Sequence, residues 1–319
     1  MLNTAESHWH PQAQPLRSAR ESSSEYHLIH KRLVGPRTVG RLALHYTELT
    51  QSQSIERMYE AGWAATEAAI ISEGQPQQQR VGFLHDAEAA WEYAHQLCHE
   101  RSSEKEHPCH DRMLRIETAA ASIPVFRSII EKRSSTQARE TYHETVLDIA
   151  TRSASLLEHA IKSDTGHESN YKGLGVEELA ILALSRARTG KLFVTPSLAR
   201  SDSGEHYPRE THDLQVFSFR RGKRQTITPL EVKSSKSPAR YSSPVINARL
   251  HMGIRNSHDV GALVDLYRRD YYNSESLEPS EKQRLDTIRF TITELIQSYQ
   301  QERKRASVSA MSSTPVDAA

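Results

Sequence analysis

Residues 211–235, THDLQVFSFRRGKRQTITPLEVKSS, leave the chain little choice of local structure. Asp213 to Phe219 sets Leu214, Val216 and Ser218 on one side and Gln215, Phe217 and Phe219 on the other, so a strand here has no cleanly polar face. Thr226 to Val232 is rich in β-branched residues (Thr226, Ile227, Thr228, Val232), which suit a pleated surface better than a helix. Between them lies Arg220-Arg221-Gly222-Lys223-Arg224, whose glycine supplies the positive φ that a tight hairpin needs. The stretch therefore predicts an antiparallel hairpin with Asp213 at its entrance and Glu231-Val232-Lys233 at its exit. Strand side chains alternate, so Glu231 and Lys233 share a face and Val232 takes the other. Two carboxylates and an amine gather at the open end.

An acidic pair suits Mg²⁺ (or Mn²⁺), which takes oxygen ligands and keeps waters for substrate phosphate. A neighbouring lysine can orient or help deprotonate water and offset charge on a phosphorane-like transition state. These residues resemble the core signature of the PD-(D/E)XK nuclease superfamily: an acid opening one strand, (D/E)-X-K on the next, and a preceding helix with a glutamate. Asp213 matches the first acid and Glu231-Val232-Lys233 the second motif. Leu174 to Arg188, LGVEELAILALSRAR, is the helix and offers Glu177 and Glu178. His212 stands before Asp213 where the pattern often has proline. The resemblance covers roughly residues 170–255.

The resemblance implies an α/β (α+β) restriction-endonuclease-like core, a mixed sheet flanked by helices in the order α-β-β-β-loop-β-α. It implies catalytic roles for Glu177 or Glu178, Asp213, Glu231 and Lys233. Asp213, Glu231 and Glu177 would hold the metal. Glu177 is preferred to Glu178 because Ala180 and Leu184 follow it three and seven residues on. The implied activity is metal-dependent hydrolysis of phosphodiester bonds in nucleic acid, DNA favoured. An isolated E-x-K on a strand is ordinarily an exposed cross-strand salt bridge. The rival reading follows from that: a non-enzymatic helical protein with an inactive nuclease-like core that binds nucleic acid or a protein.

Charge distribution bears on the partner. Net charge is only +1 over 319 residues, but Arg186 to Arg255 carries fourteen basic residues against five acids. A basic segment around an acidic site fits a polyphosphate, because phosphate contacts supply most non-specific nucleic-acid affinity. Arg221, Lys223 and Arg224 in the turn, with Lys236 and Arg240 in the loop after the second strand, are the expected phosphate contacts. A homodimer is left open.

Elsewhere the sequence divides by pattern. Residues 1–25 are polar with prolines and a serine run and predict a disordered arm. Residues 26–165 form an all-α region. Its expected helices are Glu48–Ser72, Ala87–Glu100 with Asp86 as cap, Asp111–Ala121, a short one with Pro124 in its first turn, and Thr136–Lys162. Residues 166–275 make the nuclease-like core, with further strands at Lys191–Leu198 and Val245–Met252 and a helix at Asp259–Tyr272. Residues 276–305 make a C-terminal helix, and 306–319 a disordered tail. Trp63 and Trp91 are expected as packing between helices.

His95, Cys98, His107 and Cys109 cluster in sequence, but their spacing matches no familiar zinc framework, and zinc is not expected there. There is no glycine-rich phosphate loop for nucleotide-driven work. No apolar run of 18 residues occurs, no signal-peptide pattern opens the chain, and two cysteines are too few for a disulfide framework. A cytoplasmic, membrane-free setting is the expectation.

Overall fold

Small residues decide how the first long helix packs. The computed structural model describes residues 46–51, 54–72, 74–103, 109–163, 168–185, 192–196, 214–220, 223–233, 248–251, 254 and 256–290. In the strands from residue 214 onward, side chains are described only at Leu214, Val216, Phe217 and Val232. Helix α1, Ile55–Ile71, starts at Ser54, whose Oγ accepts a hydrogen bond from the Arg57 amide at 3.4 Å. Every residue from Ala61 to Ile70 is buried, so alanines let α1 be covered all round. Gly62 admits the Trp91 indole of helix α2, Gln77–Ser103. Trp91 Nε1 donates to the Tyr59 carbonyl at 3.0 Å, and its ring meets Trp63 edge-on with centroids 5.1 Å apart.

Helix α2 begins ten residues before the expected Ala87. Pro76 directly precedes it, and Arg80 of its first turn donates to the carbonyls of Ala69 and Ile70 at the end of α1. Those bonds satisfy acceptors that a helix end otherwise leaves to water. Asp86 accordingly lies inside α2 and does not cap it. Helix α3, His110–Ala121, and α4, Ile123–Ile130 with Pro124 in its first turn, pack against α2. Arg127 on α4 grips both carboxylate oxygens of Glu88 at 3.0 Å. Arg112 on α3 pairs with Glu56 on α1 at 2.5 Å. Residues 46–50 are helical, and Tyr46 donates to the Asp86 carbonyl at 3.2 Å.

Helix α5, Thr136–Ser163, carries the chain from one compact unit into another, the division falling between Ile149 and Ala150. The second unit holds α6, Glu168–Ser185, most of the sheet, and helix α7, His258–Tyr272. Strands β1 (Leu192–Pro196), β2 (Leu214–Arg220), β3 (Lys223–Lys233) and β4 (Ala248–His251) lie in sequence order. β2 and β3 run antiparallel and β4 runs parallel to β3. Val216 and Phe217, adjacent on β2, are both fully buried, so both faces of that strand are covered. Pro229 falls within β3 just before the ladder to β4 begins at Leu230, so at that position β2 is its neighbour in the ladder. Two arginines tie the helical residues 279–290 to α7: Arg269 bridges Glu281 with bonds of 3.1 and 2.6 Å, and Arg289 meets buried Asp270 at 2.6 Å.

The expected α/β restriction-endonuclease-like class is corrected by this architecture. The described residues are mainly helical, with helices of up to 28 residues against strands of 4 to 11. The hairpin exists, but α2 and α6 reach further than the sequence pattern suggested, and β1 and β4 are short. The expected arm at 1–25, the stretch 26–45 and the tail at 306–319 lie outside the described residues. Among the described residues, no helix is long and apolar enough to cross a membrane.

Candidate functional site

The proposed site residues all belong to the second unit. Glu177 and Glu178 stand in mid-α6, where Val176, Leu179, Ala180, Ile181, Leu182, Ala183 and Leu184 are all buried. The two carboxylates are buried with them: Glu177 is 7% exposed and Glu178 1%, and both Glu178 carboxylate oxygens are out of solvent. Burying one ionised carboxylate costs several kcal/mol, about, unless cations or donors meet it. Two in succession within the buried, largely apolar second half of α6 therefore need partners inside the fold, and both have them.

Helix α6 packs against both β3 and α7. The close approach to α7 is made at Gly175, which faces Val260. A helix turns about 100° per residue, so Glu178 lies about 60° from the Gly175 direction and Glu177 lies nearly opposite it. The two acids thus serve different sides of α6, with Glu177 turned away from α7.

β3 carries Glu231, Val232 and Lys233 in its last three positions, and Val232 is buried at 6% exposure. These positions pair in parallel with Arg249, Leu250 and His251 of β4. The antiparallel ladder with β2 matches Leu214 to Leu230. Asp213, Arg221, Lys236 and Arg240 lie outside the described residues, as do the side chains of Lys223, Arg224, Glu231 and Lys233. Lys223 and Arg224 open β3, at the end of the ribbon remote from Glu231. Of the sequence-predicted set, the structure thus brings α6 with its two glutamates against the strand that bears the E-x-K motif.

The cysteine and histidine cluster belongs to the first unit. Cys98 on α2 and Cys109, at the start of α3, are both buried free thiols. Burial, and then the neighbouring Cys109, push the Cys98 thiol up to about 12, far from the thiolate that metals bind. His95 Nε2 lies 3.4 Å from Glu117 Oε1, and its ring stacks edge-on with His99. His107 lies outside the described residues, and among those described no group of three or more ligand-type side chains could hold a metal ion.

Half-buried Asp86 was expected only as a helix cap. Burial pushes the Asp86 carboxyl up to about 7, and its Oδ2 has no hydrogen-bond partner among the described residues. Its position before an alanine-rich run reads as a cap, and only the earlier start of α2 places it inside the helix.

No protein-family model matches the chain, and neither does any curated protein or solved structure.

Proposed function

We propose that the chain is a divalent-metal-dependent nuclease, acting on DNA, whose reacting centre lies at the open end of the β2–β3 ribbon. The observation that carries this reading is the register Leu214↔Leu230. Asp213 follows Leu214 outward by one peptide step and Glu231 follows Leu230 by one, each about 3.8 Å. Antiparallel partners have α-carbons about 4.5–5.5 Å apart, so connectivity alone keeps the α-carbons of Asp213 and Glu231 within about 13 Å. Carboxylates on such neighbours can share a hydrated cation. The buried glutamates of α6 stand on a helix packed against the same strand.

Asp213 and Glu231 are the ligands in this reading, with Glu177 completing the oxygen set, in line with the motif resemblance to the PD-(D/E)XK superfamily. A divalent cation held by these residues would supply charge neutralisation at the phosphate and a more acidic water. Lys233, in its neutral form, accepts the proton of the attacking water and holds that water in line with phosphorus. The water oxygen–phosphorus bond forms, the opposite phosphorus–oxygen bond breaks, and the leaving oxygen is protonated from solvent. Lys236 and Arg240, close in sequence to Lys233, neutralise flanking phosphates; Arg221, Lys223 and Arg224 do so at the turn.

Incubation of plasmid and linear DNA with the protein, with Mg²⁺ or Mn²⁺ and with EDTA, tests this reading. Cleavage that needs the metal and is lost in Asp213→Asn supports it. No metal-dependent cleavage on any nucleic acid overturns it in favour of a non-enzymatic protein that binds nucleic acid or a partner.

A further inference from the structure

The short helical stretch at residues 46–50 docks on α2 beside a carboxyl that nothing neutralises. Tyr46 donates to the Asp86 carbonyl at 3.2 Å, and the Leu49 side chain is buried. The Asp86 carboxyl lies close enough to act on the Tyr46 hydroxyl, whose ionisation is pushed up by burial and then by Asp86. Asp86 Oδ2 is out of solvent and has no hydrogen-bond partner among the described residues. Arginines on the elements packed with α2 are engaged elsewhere. Arg80 on α2 itself holds the carbonyls of Ala69 and Ile70, Arg112 on α3 holds Glu56 of α1, and Arg127 on α4 holds Glu88. No charged side chain of these helices sets the ionisation of Asp86, which burial alone displaces.

An ionised carboxylate without a partner is far more costly to enclose than a neutral carboxyl, so covering Asp86 and keeping its proton are linked. We propose that residues 46–50 are a pH-sensitive latch on α2, closed while Asp86 is protonated and released as Asp86 ionises. Release of this stretch is the least costly way to bring water to the carboxylate. It gives up one buried leucine and the Tyr46 bond. Lifting α1 from α2 would instead break the Trp63–Trp91 contact, the Trp91 bond to the Tyr59 carbonyl and both Arg80 bonds. Asp86 ionises near 7 in the closed form and toward the ordinary 3.8 once water reaches it. The closed-to-open ratio is therefore greatest below about pH 3.8, falls about tenfold per pH unit above that, and levels off above about pH 7.

Hydrogen exchange read by mass spectrometry tests the latch. Comparing wild type with Asp86→Asn at the same pH cancels the intrinsic pH dependence of exchange. Protection of residues 46–51 in wild type, relative to the variant, should fall roughly fiftyfold from about pH 5 to about pH 7.5. Asp86→Ala is the second reference, and the same fall should be seen against it. At about pH 7.5 residues 46–51 should also exchange faster than residues 55–71 and be insensitive to low urea, because a local opening exposes little surface. A protection ratio that stays constant across the pH range against both variants overturns the proposal. Exchange of 46–51 at the rate and with the urea dependence of 55–71 overturns it too, since the opening is then that of the whole helical unit.

Discussion

Gly175 on α6 and Val260 on α7 meet so closely that a β-carbon at Gly175 would lie 2.6 Å from Val260 Cγ1. Val260 is fully buried, so its methyl has no free space to turn into. Gly175→Ala should therefore lower unfolding stability by about 1–2 kcal/mol, overpacking outweighing the better helix propensity of alanine. Gly173 lies two residues away on the same helix with nothing within 4 Å of such a β-carbon, and Gly173→Ala should instead stabilise by about 0.5–1 kcal/mol. Urea melts of the two variants give the signs, and equal effects would remove the case for a close α6–α7 contact.

In the helical unit Gly62 lies against Trp91, and a β-carbon added there would overlap the indole at Nε1. Trp91 is fully buried and held by its bond to the Tyr59 carbonyl. Gly62→Ala must displace the indole or separate α1 from α2. A loss of about 3 kcal/mol is expected, with a change in tryptophan fluorescence as the Trp63–Trp91 pair opens. Wild-type fluorescence and melting in the variant would refute this packing.

Legibility followed the chemistry of each segment. The hairpin was readable because β-branched runs around a glycine turn admit few other structures, and the strands lie within two or three residues of the expectation. Pro124 marked a helix start correctly for the same local reason. The α/β class was not readable, because it depends on how much of the chain goes into helices whose length is fixed by tertiary bonds. Arg80 reaching back to α1 is one such bond, and no local pattern announces it. The burial of Glu177 and Glu178 was hidden too, since a charged pair in a helix normally signals the solvent side.

Asp86 should make stability fall with rising pH. In the unfolded chain its carboxyl ionises at the ordinary 3.8, and in the fold only near 7, because burial disfavours the charge. Between those values the unfolded chain has released a proton that the folded chain keeps, so each rise in pH favours unfolding. The stabilisation is complete below about pH 3.8 and lost as pH passes about 7. Asp86→Asn keeps the shape without the titration, so the difference between the two proteins in urea melts should change from pH 4.5 to 7.5 and level above. A constant difference across that range would mean that Asp86 is solvated in the fold.

The two glutamates of α6 should separate in function. Glu177 turns away from Gly175 and hence from α7, whereas Glu178 leans toward the α7 side and is the more buried. Glu177→Gln is expected to weaken Mg²⁺ affinity about 10–100-fold while stability changes little. Glu178→Gln should alter stability more than metal affinity, because its carboxylate is wholly enclosed. Metal titration followed by calorimetry, beside melting of both variants, distinguishes them. The reverse pattern would give the metal role to Glu178.

Lys233 and Asp213 should fail in different ways. Asp213 holds the cation in the proposed reaction, so Asp213→Ala is expected to lose metal binding and turnover together. Lys233 stands two residues beyond Glu231 on β3, and in the proposed reaction it acts on the water as the phosphorus bond forms. An interaction made mainly in the transition state lowers kcat and kcat/KM alike and leaves ground-state binding in place. Lys233→Ala should therefore lose about 10²–10⁴ in kcat while Mg²⁺ and DNA affinity stay within a few-fold. The basal arm of the pH–rate profile supplies a second readout. If Lys233 takes the proton, the rate should rise as its amine becomes neutral, and this rise should vanish in the variant. Comparable cleavage by wild type and Lys233→Ala at saturating Mg²⁺ would reduce the E-x-K motif to a surface ion pair and leave the non-enzymatic reading in its place.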